Sequence, residues 1–459
     1  MKIQLFNNKS ECCSCWACAN ICPKNAITMR KDSEGFFFPD VDNSNCIGCR
    51  MCLDVCPTAA RKAEADAELG KPHVRIINYS MDNNCGAVIA GACLEKAVKK
   101  HVTDDVIIQT IKYDKYNDCE TFVSKTIAFF VTIISFFKSI LKRKPFQTQS
   151  KQRHYEASAN DDERIKNQRY EIFADRFLNF TSKMTNKDLR NDKTNNRALI
   201  CGSDVIWEPE RILTGLACGF YLNFGGRKVR KIAYAPAIDY INSKKLYLRW
   251  PFYFFELLKF DRISFREKEN LHFIQSATLK KVTHCCDPVF LFEAKDFDEM
   301  IDTSAEQSDS DYLYAYILMK NDAAVRHVKE VAAKNSLTIY FYAPEYSPAD
   351  FGSNSVDCKT DGPAEFLMRI KNASYIVTTS FHCVAFSIIF KKDFLSFTRN
   401  STGNKIRDLL DTVGIHGRLV SDNTIPDKLT AIDYNSVDQK IKSFRKQSED
   451  FLKNSLSDI

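Results

Sequence analysis

The sequence of 459 residues lacks an apolar run long enough to cross a membrane. Its longest uncharged apolar stretch covers residues 126–137, whereas a membrane-spanning helix needs about 20 residues. The preferred interpretation of this stretch is a buried core helix with a solvated basic end. The basic residues that follow are Lys138, Lys142, Arg143 and Lys144. They leave an interfacial helix next to anionic lipid as the alternative.

A secretory signal and a dominant charge are also missing. The first residues contain no apolar segment typical of a signal peptide, which predicts a protein of the reducing cytoplasm. The 65 Lys and Arg residues oppose 58 Asp and Glu residues, a net charge of +7. This bias is too weak to indicate a nucleic-acid partner, although it suits an anionic substrate. We therefore expect a cytoplasmic protein without a nucleic-acid partner, and peripheral contact with the inner membrane face stays open.

Cysteine, in contrast, is abundant and concentrated near the start of the chain. Nine of the 18 cysteines lie within the first 56 residues. In a reducing compartment, clustered cysteines are metal ligands more often than disulfide partners. Most of them form two copies of one pattern, in which three closely spaced cysteines precede a fourth cysteine and a proline. The copies are Cys12-x-x-Cys15-x-x-Cys18-x-x-x-Cys22-Pro23 and Cys46-x-x-Cys49-x-x-Cys52-x-x-x-Cys56-Pro57.

This spacing predicts two [4Fe–4S] clusters. Three closely spaced thiolates bind three irons of one cubane, and the fourth cysteine of each run binds the other cluster. The predicted ligand sets are Cys12, Cys15, Cys18 and Cys56 for one cluster, and Cys46, Cys49, Cys52 and Cys22 for the other. A pair of zinc sites is the weaker alternative, because zinc ligands come in two separated pairs. Residues 1–62 resemble a bacterial two-cluster ferredoxin domain, which implies a small α+β module.

Beyond a charged linker at residues 61–71, apolar strands alternate with amphipathic helices, the pattern of a parallel α/β fold. The predicted strands are 74–79, 198–201, 231–235, 262–265, 312–318, 337–342 and 375–379. The predicted helices are 86–100, 322–335 and 436–456, the last with Ser436 as its N-cap. Residues 148–163 and 303–309 are predicted to be polar loops.

Ligands of such folds bind beyond the carboxyl ends of the strands. Three predicted strands lead into Gly202-Ser203-Asp204, into Arg266-Glu267 and into Ser380-Phe381-His382. A glycine that permits close approach, a cation and an imidazole at successive strand ends suit an anionic ligand in a cleft.

After residue 72 the chain contains a series of short motifs in a fixed order. They are Asn84-Cys85-Gly86-Ala87, Gly202-Ser203-Asp204-Val205-Ile206-Trp207, Ile232-Ala233-Tyr234-Ala235, Ile263-Ser264-Phe265-Arg266-Glu267, Asp287-Pro288-Val289-Phe290-Leu291, Gly362-Pro363-Ala364-Glu365-Phe366, Asn372-Ala373, Ser380-Phe381-His382, Asn404-Lys405-Ile406-Arg407-Asp408-Leu409-Leu410 and Gly417-Arg418. Together these motifs resemble the polysaccharide pyruvyl transferase family, and the resemblance covers residues 72 to about 420. It implies a GT-B-like pair of Rossmann-like domains, with halves at 72–240 and 241–459, behind the ferredoxin-like domain.

The resemblance also implies a reaction and roles for individual residues. The family transfers the pyruvyl group of phosphoenolpyruvate to two hydroxyls of a sugar, here the sugar or lipid-linked glycan of a surface polysaccharide. Arg266 would bind the carboxylate or phosphate. His382 would act as the general acid, and Asp204 would accept a hydroxyl proton or bind the sugar. The further substrate-binding candidates are Ser203, Ser380, Arg407 and Arg418.

Each of these residues also has a simpler interpretation. His382 would be a hydrogen-bonded core residue, and Arg266 would pair with Glu267 at the start of a helix. Asp204 would be a helix N-cap. The dipeptide Asp287-Pro288 is typical of a turn.

Three positions depart from the family pattern and keep other functions open. Cys85 replaces a tyrosine of the family, Val205 a glutamine and Cys383 a glycine. One alternative is therefore a sugar-binding protein without catalytic activity. The other is an iron–sulfur oxidoreductase that binds a flavin or deazaflavin, although no Gly-x-Gly-x-x-Gly fingerprint is present. Since pyruvyl transfer is not a redox reaction, the clusters would be structural, regulatory or a docking element for a redox partner.

Overall fold

The computed structural model describes residue 5 and residues 12–32, 34–56, 70–79, 84–114, 161–207, 218–238, 249–301, 311–398, 404–420 and 429–459. The apolar stretch at 126–137 and the predicted loop at 303–309 lie outside these ranges. Among the helices of the described ranges, none combines the length and the apolar character needed to cross a membrane.

The N-terminal module combines a β-hairpin with two short helices. Its elements are α1 (Ala17–Ile21), β1 (Ile27–Lys31), β2 (Phe37–Val41) and α2 (Met51–Asp54). Both helices follow a residue in the left-handed conformation, Trp16 before α1 and Arg50 before α2. The two cysteine runs therefore fold alike. The buried residues Leu5, Cys18, Ile27, Cys52 and Leu53 form the core of this small α+β domain.

A seven-stranded parallel sheet forms the centre of the next unit. Its strands are β3 (His73–Ile77), β4 (Ile107–Tyr113), β5 (Phe180–Met184), β6 (Asn196–Cys201), β7 (Arg230–Ala233), β8 (Arg262–Phe265) and β9 (Val282–His284). Its helices are α3 (Cys85–Lys99), α4 (Asp161–Phe177), α5 (Asn186–Arg190), α6 (Trp250–Leu257) and α7 (Leu271–Ser276). The strand order β5-β4-β3-β6-β7-β8-β9 reverses its direction between β3 and β6. Such a reversal is a topological switch point, where open α/β sheets bind ligands.

A six-stranded parallel sheet forms the second half. Its strands are β10 (Tyr312–Tyr316), β11 (Thr338–Tyr342), β12 (Ser355–Asp357), β13 (Tyr375–Thr378), β14 (Phe394–Phe397) and β15 (Leu419–Val420). Its helices are α8 (Asp322–Asn335), α9 (Pro348–Phe351), α10 (Pro363–Asn372), α11 (Phe381–Ile389), α12 (Asn404–Val413) and α13 (Tyr434–Leu456). The order β12-β11-β10-β13-β14-β15 has its switch point between β10 and β13. The two halves are thus Rossmann-like sheets of the same winding, and the predicted GT-B-like α/β architecture is confirmed.

Local sequence explains why individual elements form where they do. Helix α8 spans the predicted residues because Asn321 caps it, accepting a hydrogen bond from the Ala324 N–H at 2.8 Å. Its buried residues Ala324, Val328 and Ala332 recur every fourth position and form one apolar face. All five residues of β3 are buried, as expected for a central strand of a parallel sheet with both faces covered.

Three boundary predictions are wrong. The first half does not end at residue 240, because β8 and β9 pair with the first sheet and extend it to His284. Residues 161–163 form the first turn of α4 rather than a loop. Helix α13 begins at Tyr434, and its N-cap is Asp433 rather than Ser436, because the Asp433 carboxylate accepts hydrogen bonds from the next N–H groups.

Two helices join the halves. The terminal helix α13 returns to the first half, where Ser448 Oγ accepts a hydrogen bond from the Cys286 N–H at 2.9 Å and Phe451 packs on Tyr234. In the other direction, Arg169 of α4 binds Glu365 at 3.0 Å and donates to the Thr360 carbonyl at 3.0 Å. The relative position of the two sheets is therefore held by contacts on both sides.

The buried face of α11 should make a large contribution to stability. Phe386 is fully buried and contacts the rings of Phe297, Phe366 and Phe390. We expect Phe386→Ala to lower the free energy of unfolding by about 3–5 kcal/mol, because it removes a large buried ring and leaves a cavity. Phe255→Ala, at a residue that is 65% exposed, is the matched control and should change it by less than about 0.5 kcal/mol. Denaturant unfolding followed by circular dichroism measures both, and equal losses would contradict the packing described.

Candidate functional site

A cleft of about 190 Å³ lies where the switch points of the two sheets face each other. The first half contributes Asn84 and Asp204 to its lining. The second half contributes the polar residues Thr379, Ser380, His382 and Lys405, and an apolar side that includes Leu318 and Phe397. The cleft therefore combines hydrogen-bonding groups, one imidazole and one ammonium group with an apolar wall.

Two helices begin at the cleft. Asn84 caps α3, where its side chain accepts a hydrogen bond from the Ala87 N–H at 3.2 Å. Ser380 caps α11, where its hydroxyl accepts one from the Cys383 N–H at 3.5 Å. Since both N-cap residues line the cleft, the N–H ends of both helices face it. Helix N-termini carry partial positive charge and favour anions.

Glycine at position 86 lets the first half approach the imidazole closely. A Cβ atom on Gly86 would lie 2.2 Å from Cγ and Nδ1 of His382. Any side chain at this position of α3 would therefore displace the His382 ring.

The central carboxylate behind the cleft is Asp287, which is 2% exposed. Its Oδ2 accepts hydrogen bonds from Arg266 Nη1 at 2.8 Å and from Ser203 Oγ at 3.1 Å. His382 Nε2 lies 3.6 Å from the same oxygen. Burial would raise the pKa of Asp287, but His382 and Arg266 outweigh it and hold that pKa well below its usual range. Asp287 is therefore a fixed negative charge beside the imidazole.

The sequence prediction of a turn at Asp287 missed this role. Asp287 does cap the 3₁₀-helix Pro288–Leu291, since its Oδ1 accepts from the Val289 N–H at 3.3 Å. The sequence did contain a signal for Asp287 as a site residue, because it lies just beyond the carboxyl end of β9. The other candidates were identified by the same position relative to their strands.

Arg266 does not line the cleft. Its Nε donates to Glu267 Oε1 at 2.9 Å, and its guanidinium carbon lies 4.4 Å from the centre of the Phe381 ring, which separates it from the cleft. Burial would lower the pKa of Arg266, but Glu267 and Asp287 raise it above its ordinary value. The expected pairing with Glu267 is present, although α7 begins only at Leu271 and no helix starts at Arg266.

The remaining candidates divide into cleft and non-cleft residues. Asp204 lines the cleft but caps no helix, since its Oδ1 accepts from the adjacent Val205 N–H at 2.8 Å. Ser203 is buried and bonded to Asp287 rather than to the cleft. Arg407 is exposed, and Lys405 is the residue of α12 that lines the cleft.

Arg418 lies outside the cleft as well. It is buried, and its guanidinium donates to Asp393 and to the carbonyls of Phe394 and Thr430. These partners tie β14 to the residues around β15, so Arg418 has a structural role.

Two departures from the family pattern do not reach the cleft. Cys383 is completely buried inside α11, and Cys85 Sγ lies 2.8 Å from the hydroxyl oxygen of Tyr170. Burial raises the pKa of each thiol to about 12, so both remain protonated and unreactive near neutral pH. The third position, Val205, is half-buried.

In the N-terminal module, the cysteine runs provide sulfur atoms that suit iron. The Ala26 N–H donates to Cys22 Sγ at 3.3 Å and the Gly48 N–H to Cys46 Sγ at 3.5 Å. Such N–H···S bonds support thiolate ligands of iron–sulfur clusters. In the described part of the chain, no three His, Cys, Asp or Glu side chains are grouped so that they could hold a metal ion.

Nearby cysteines affect the pKa values of two cysteines in the N-terminal module. Burial raises the pKa of Cys18 to about 11, with smaller contributions from Cys12 and Cys15 of its own run. Burial also raises the pKa of Cys46, to which Cys22 and Cys49 contribute. Cys22 and Cys46 both pack against the buried core of the N-terminal module.

Comparison with protein families gives two matches. Residues 84–401 match the model described as polysaccharide pyruvyl transferase, and residues 11–60 match the 4Fe-4S dicluster domain. The first match spans most of both sheets and the cleft residues from Asn84 to Phe397. No curated protein matches the chain.

Several solved structures are similar to the chain. The UDP-GlcNAc 2-epimerase from Neisseria meningitidis shares 10% identity, with a TM-score of 0.41 and coverage of 84% of this chain and 94% of that one. The glycosyltransferase SnogD from Streptomyces nogalater shares 8% identity, with a TM-score of 0.42 and coverage of 84% and 98%. The ADP-heptose lps heptosyltransferase II from E. coli shares 8% identity, with a TM-score of 0.33 and coverage of 82% and 99%.

The buried charges behind the cleft depend on Arg266. We expect Arg266→Met to lower the free energy of unfolding by about 3–5 kcal/mol, because it leaves the buried Asp287 carboxylate without its cation. Arg407→Met, at an exposed residue, is the matched control and should cost less than about 0.5 kcal/mol. Denaturant titration of both variants is the measurement, and a stability of Arg266→Met equal to that of the control would contradict the pairing.

Proposed function

Because the chain belongs to the polysaccharide pyruvyl transferase family, we propose that it transfers the pyruvyl group of phosphoenolpyruvate to two hydroxyls of one sugar. The acceptor is the sugar or lipid-linked glycan of a surface-polysaccharide precursor. The observation that carries the proposal is the imidazole of His382, which lines the cleft next to Asp287 and between two helix N-termini.

Phosphoenolpyruvate carries a carboxylate and a phosphate, and the cleft suits both. The N-termini of α3 and α11 favour one anionic group each, and the ammonium group of Lys405 adds a positive charge. The volume of about 190 Å³ is below the roughly 300–1,000 Å³ of common ligand pockets. A small donor with two anionic groups fits inside, whereas most of a glycan acceptor remains at the mouth.

His382 is the proposed general acid. Its imidazole, protonated beside the fixed negative charge of Asp287, gives a proton to the methylene carbon of phosphoenolpyruvate. The neighbouring carbon becomes oxocarbenium-like and is attacked by the first hydroxyl, whose proton passes to Asp204. Phosphate then leaves and the second hydroxyl closes the ketal. One of the two hydroxyl protons returns to His382 and replaces the proton that His382 gave to the methyl group. The other hydroxyl proton leaves with phosphate.

The other residues around His382 support it without contact to the substrate. Arg266 and Ser203 hold Asp287 through its Oδ2, so that the carboxylate stays ionised and correctly placed. Arg266 is therefore a positioning residue in this proposal rather than a phosphate ligand. The hydroxyls of Thr379 and Ser380 accept hydrogen bonds from the Leu318 and Cys383 N–H groups, and their O–H groups can donate to hydroxyl or phosphate oxygens in the cleft.

The N-terminal module is proposed to bind two [4Fe–4S] clusters with the crossed ligand sets given above. The packing of Cys22 and Cys46 against one core and the N–H···S bonds support this arrangement. When bound, such clusters transfer single electrons. Pyruvyl transfer changes no oxidation state, so the module acts beside the reaction, and we propose a redox partner for it.

The transferase proposal predicts phosphate release that depends on acceptor. Purified protein is supplied with phosphoenolpyruvate and a lipid-linked glycan pool, and inorganic phosphate is measured. We expect His382→Gln to lower the rate by about 10²–10⁴-fold, because it removes the general acid. The control His416→Gln, at an exposed histidine, should leave the rate unchanged. Release that is equal in both variants, or absent from the parent with every acceptor, would refute the proposal.

The crossed ligand assignment predicts which cysteine variants resemble each other. Cys22→Ser and Cys49→Ser should perturb the same cluster and show the same electron paramagnetic resonance signal from the remaining one. Cys15→Ser should perturb the other cluster, and Cys13→Ser should leave iron content unchanged. Iron and sulfide analysis accompanies the spectra, and a Cys22→Ser spectrum like that of Cys15→Ser would contradict the assignment.

A further inference from the structure

Behind the cleft lies a second and much smaller cavity of about 20 Å³, and three of the residues that line it each have a buried polar atom without a hydrogen-bond partner among the described residues. These atoms are Arg266 Nη2, Glu267 Oε2 and Thr412 Oγ1. A cavity of this size with three polar neighbours accommodates one water molecule. The cavity next to the buried Glu267 therefore has room for a polar neighbour.

Glu267 is connected to His382 through two intermediate groups. Its Oε1 accepts from Arg266 Nε at 2.9 Å, and Arg266 Nη1 donates to Asp287 Oδ2 at 2.8 Å. His382 Nε2 lies 3.6 Å from the same carboxylate oxygen. All four side chains are less than a tenth exposed. Their charges are thus held together in a medium that screens poorly.

The charges of this cluster balance only with one added proton. Arg266 and Asp287 cancel each other, which leaves Glu267 and His382. One proton between these two groups makes the cluster neutral, whereas none leaves it negative and two make it positive. A buried net charge is costly, so the neutral arrangement is favoured.

The surroundings of Glu267 keep it able to change its charge. Burial raises the pKa of Glu267 to about 7, although Arg266 lowers it. From α12, Lys405 lowers this pKa and Asp408 raises it, so their contributions oppose each other. Asp204 adds a negative charge on the Arg266 side. Glu267 therefore titrates in the pH range in which a histidine also does.

We propose that Glu267 and His382 share one proton across Asp287 and Arg266, which makes Glu267 a positioning residue that holds His382 in its proton-donating form. The inference rests on the proposed role of His382 as general acid. Arg266 cannot pass a proton on, so the coupling is electrostatic. When His382 gives its proton to the substrate carbon, the cluster becomes negative. Neutrality is restored when one of the two hydroxyl protons of the acceptor returns to His382.

The direct test titrates His382 in the full chain without substrate. Nuclear magnetic resonance of protein with labelled histidine follows the pH titration, and the His382 signal is the one lost in His382→Gln. In Glu267→Gln the midpoint should move to lower pH by roughly one unit, because the amide cannot carry the negative charge that favours protonated His382. The control Glu95→Gln changes a partly buried glutamate in α3 that binds Thr110, outside this cluster, and should leave the midpoint in place.

A second variant covers the case in which Glu267→Gln does not fold. Thr412→Val removes one polar neighbour of the small cavity and should move the midpoint in the same direction by a smaller amount. An unchanged midpoint in folded Glu267→Gln, or in Thr412→Val if only that variant folds, would overturn the inference. A shifted midpoint in protein that never releases phosphate would support proton sharing and refute the transferase proposal, so the two failures are distinguishable.

Discussion

The buried carboxylate of Asp287 is the group on which the site depends. It follows the last strand of the first sheet, yet its Oδ2 lies 3.6 Å from the His382 imidazole of the second half. Burial of a carboxylate is costly unless hydrogen bonds and a cation compensate for it. Arg266 and Ser203 provide that compensation. These contacts lie within the first half, and the approach of His382 to the same carboxylate brings the second half to it at the cleft.

The strand order of the two sheets explains why several functional groups meet at the cleft. Each half reverses its strand order once, and helices α3 and α11 begin beside the two reversals. Two helix N-termini therefore face one small volume, and the close contact of Gly86 with His382 completes it. The contacts of α4 and α13 on the opposite halves make this arrangement part of the folded state rather than a consequence of a bound ligand.

The cysteines of the N-terminal module differ from those in the rest of the chain. The core of this module is small and contains Cys18 and Cys52, which are also proposed cluster ligands. In the transferase halves, by contrast, the buried thiols of Cys85 and Cys383 serve packing and are unreactive. Under the proposed ligand assignment, cysteine has two unrelated uses in one protein, and local spacing distinguishes them.

Much of this protein is determined by short stretches of sequence. The cysteine runs, the predicted strands, helix α8 and the place of His382 beyond a strand depend on spacing and periodicity, which neighbouring residues specify. Tertiary structure decided the rest. It placed the guanidinium of Arg266 against the ring of Phe381, and it brought Lys405 rather than Arg407 to the lining of the cleft. It also paired β9 with β8 at the edge of the first sheet. It also made Asp287 central, because the partners of a buried charge come from segments far apart in the chain and only folding brings them together.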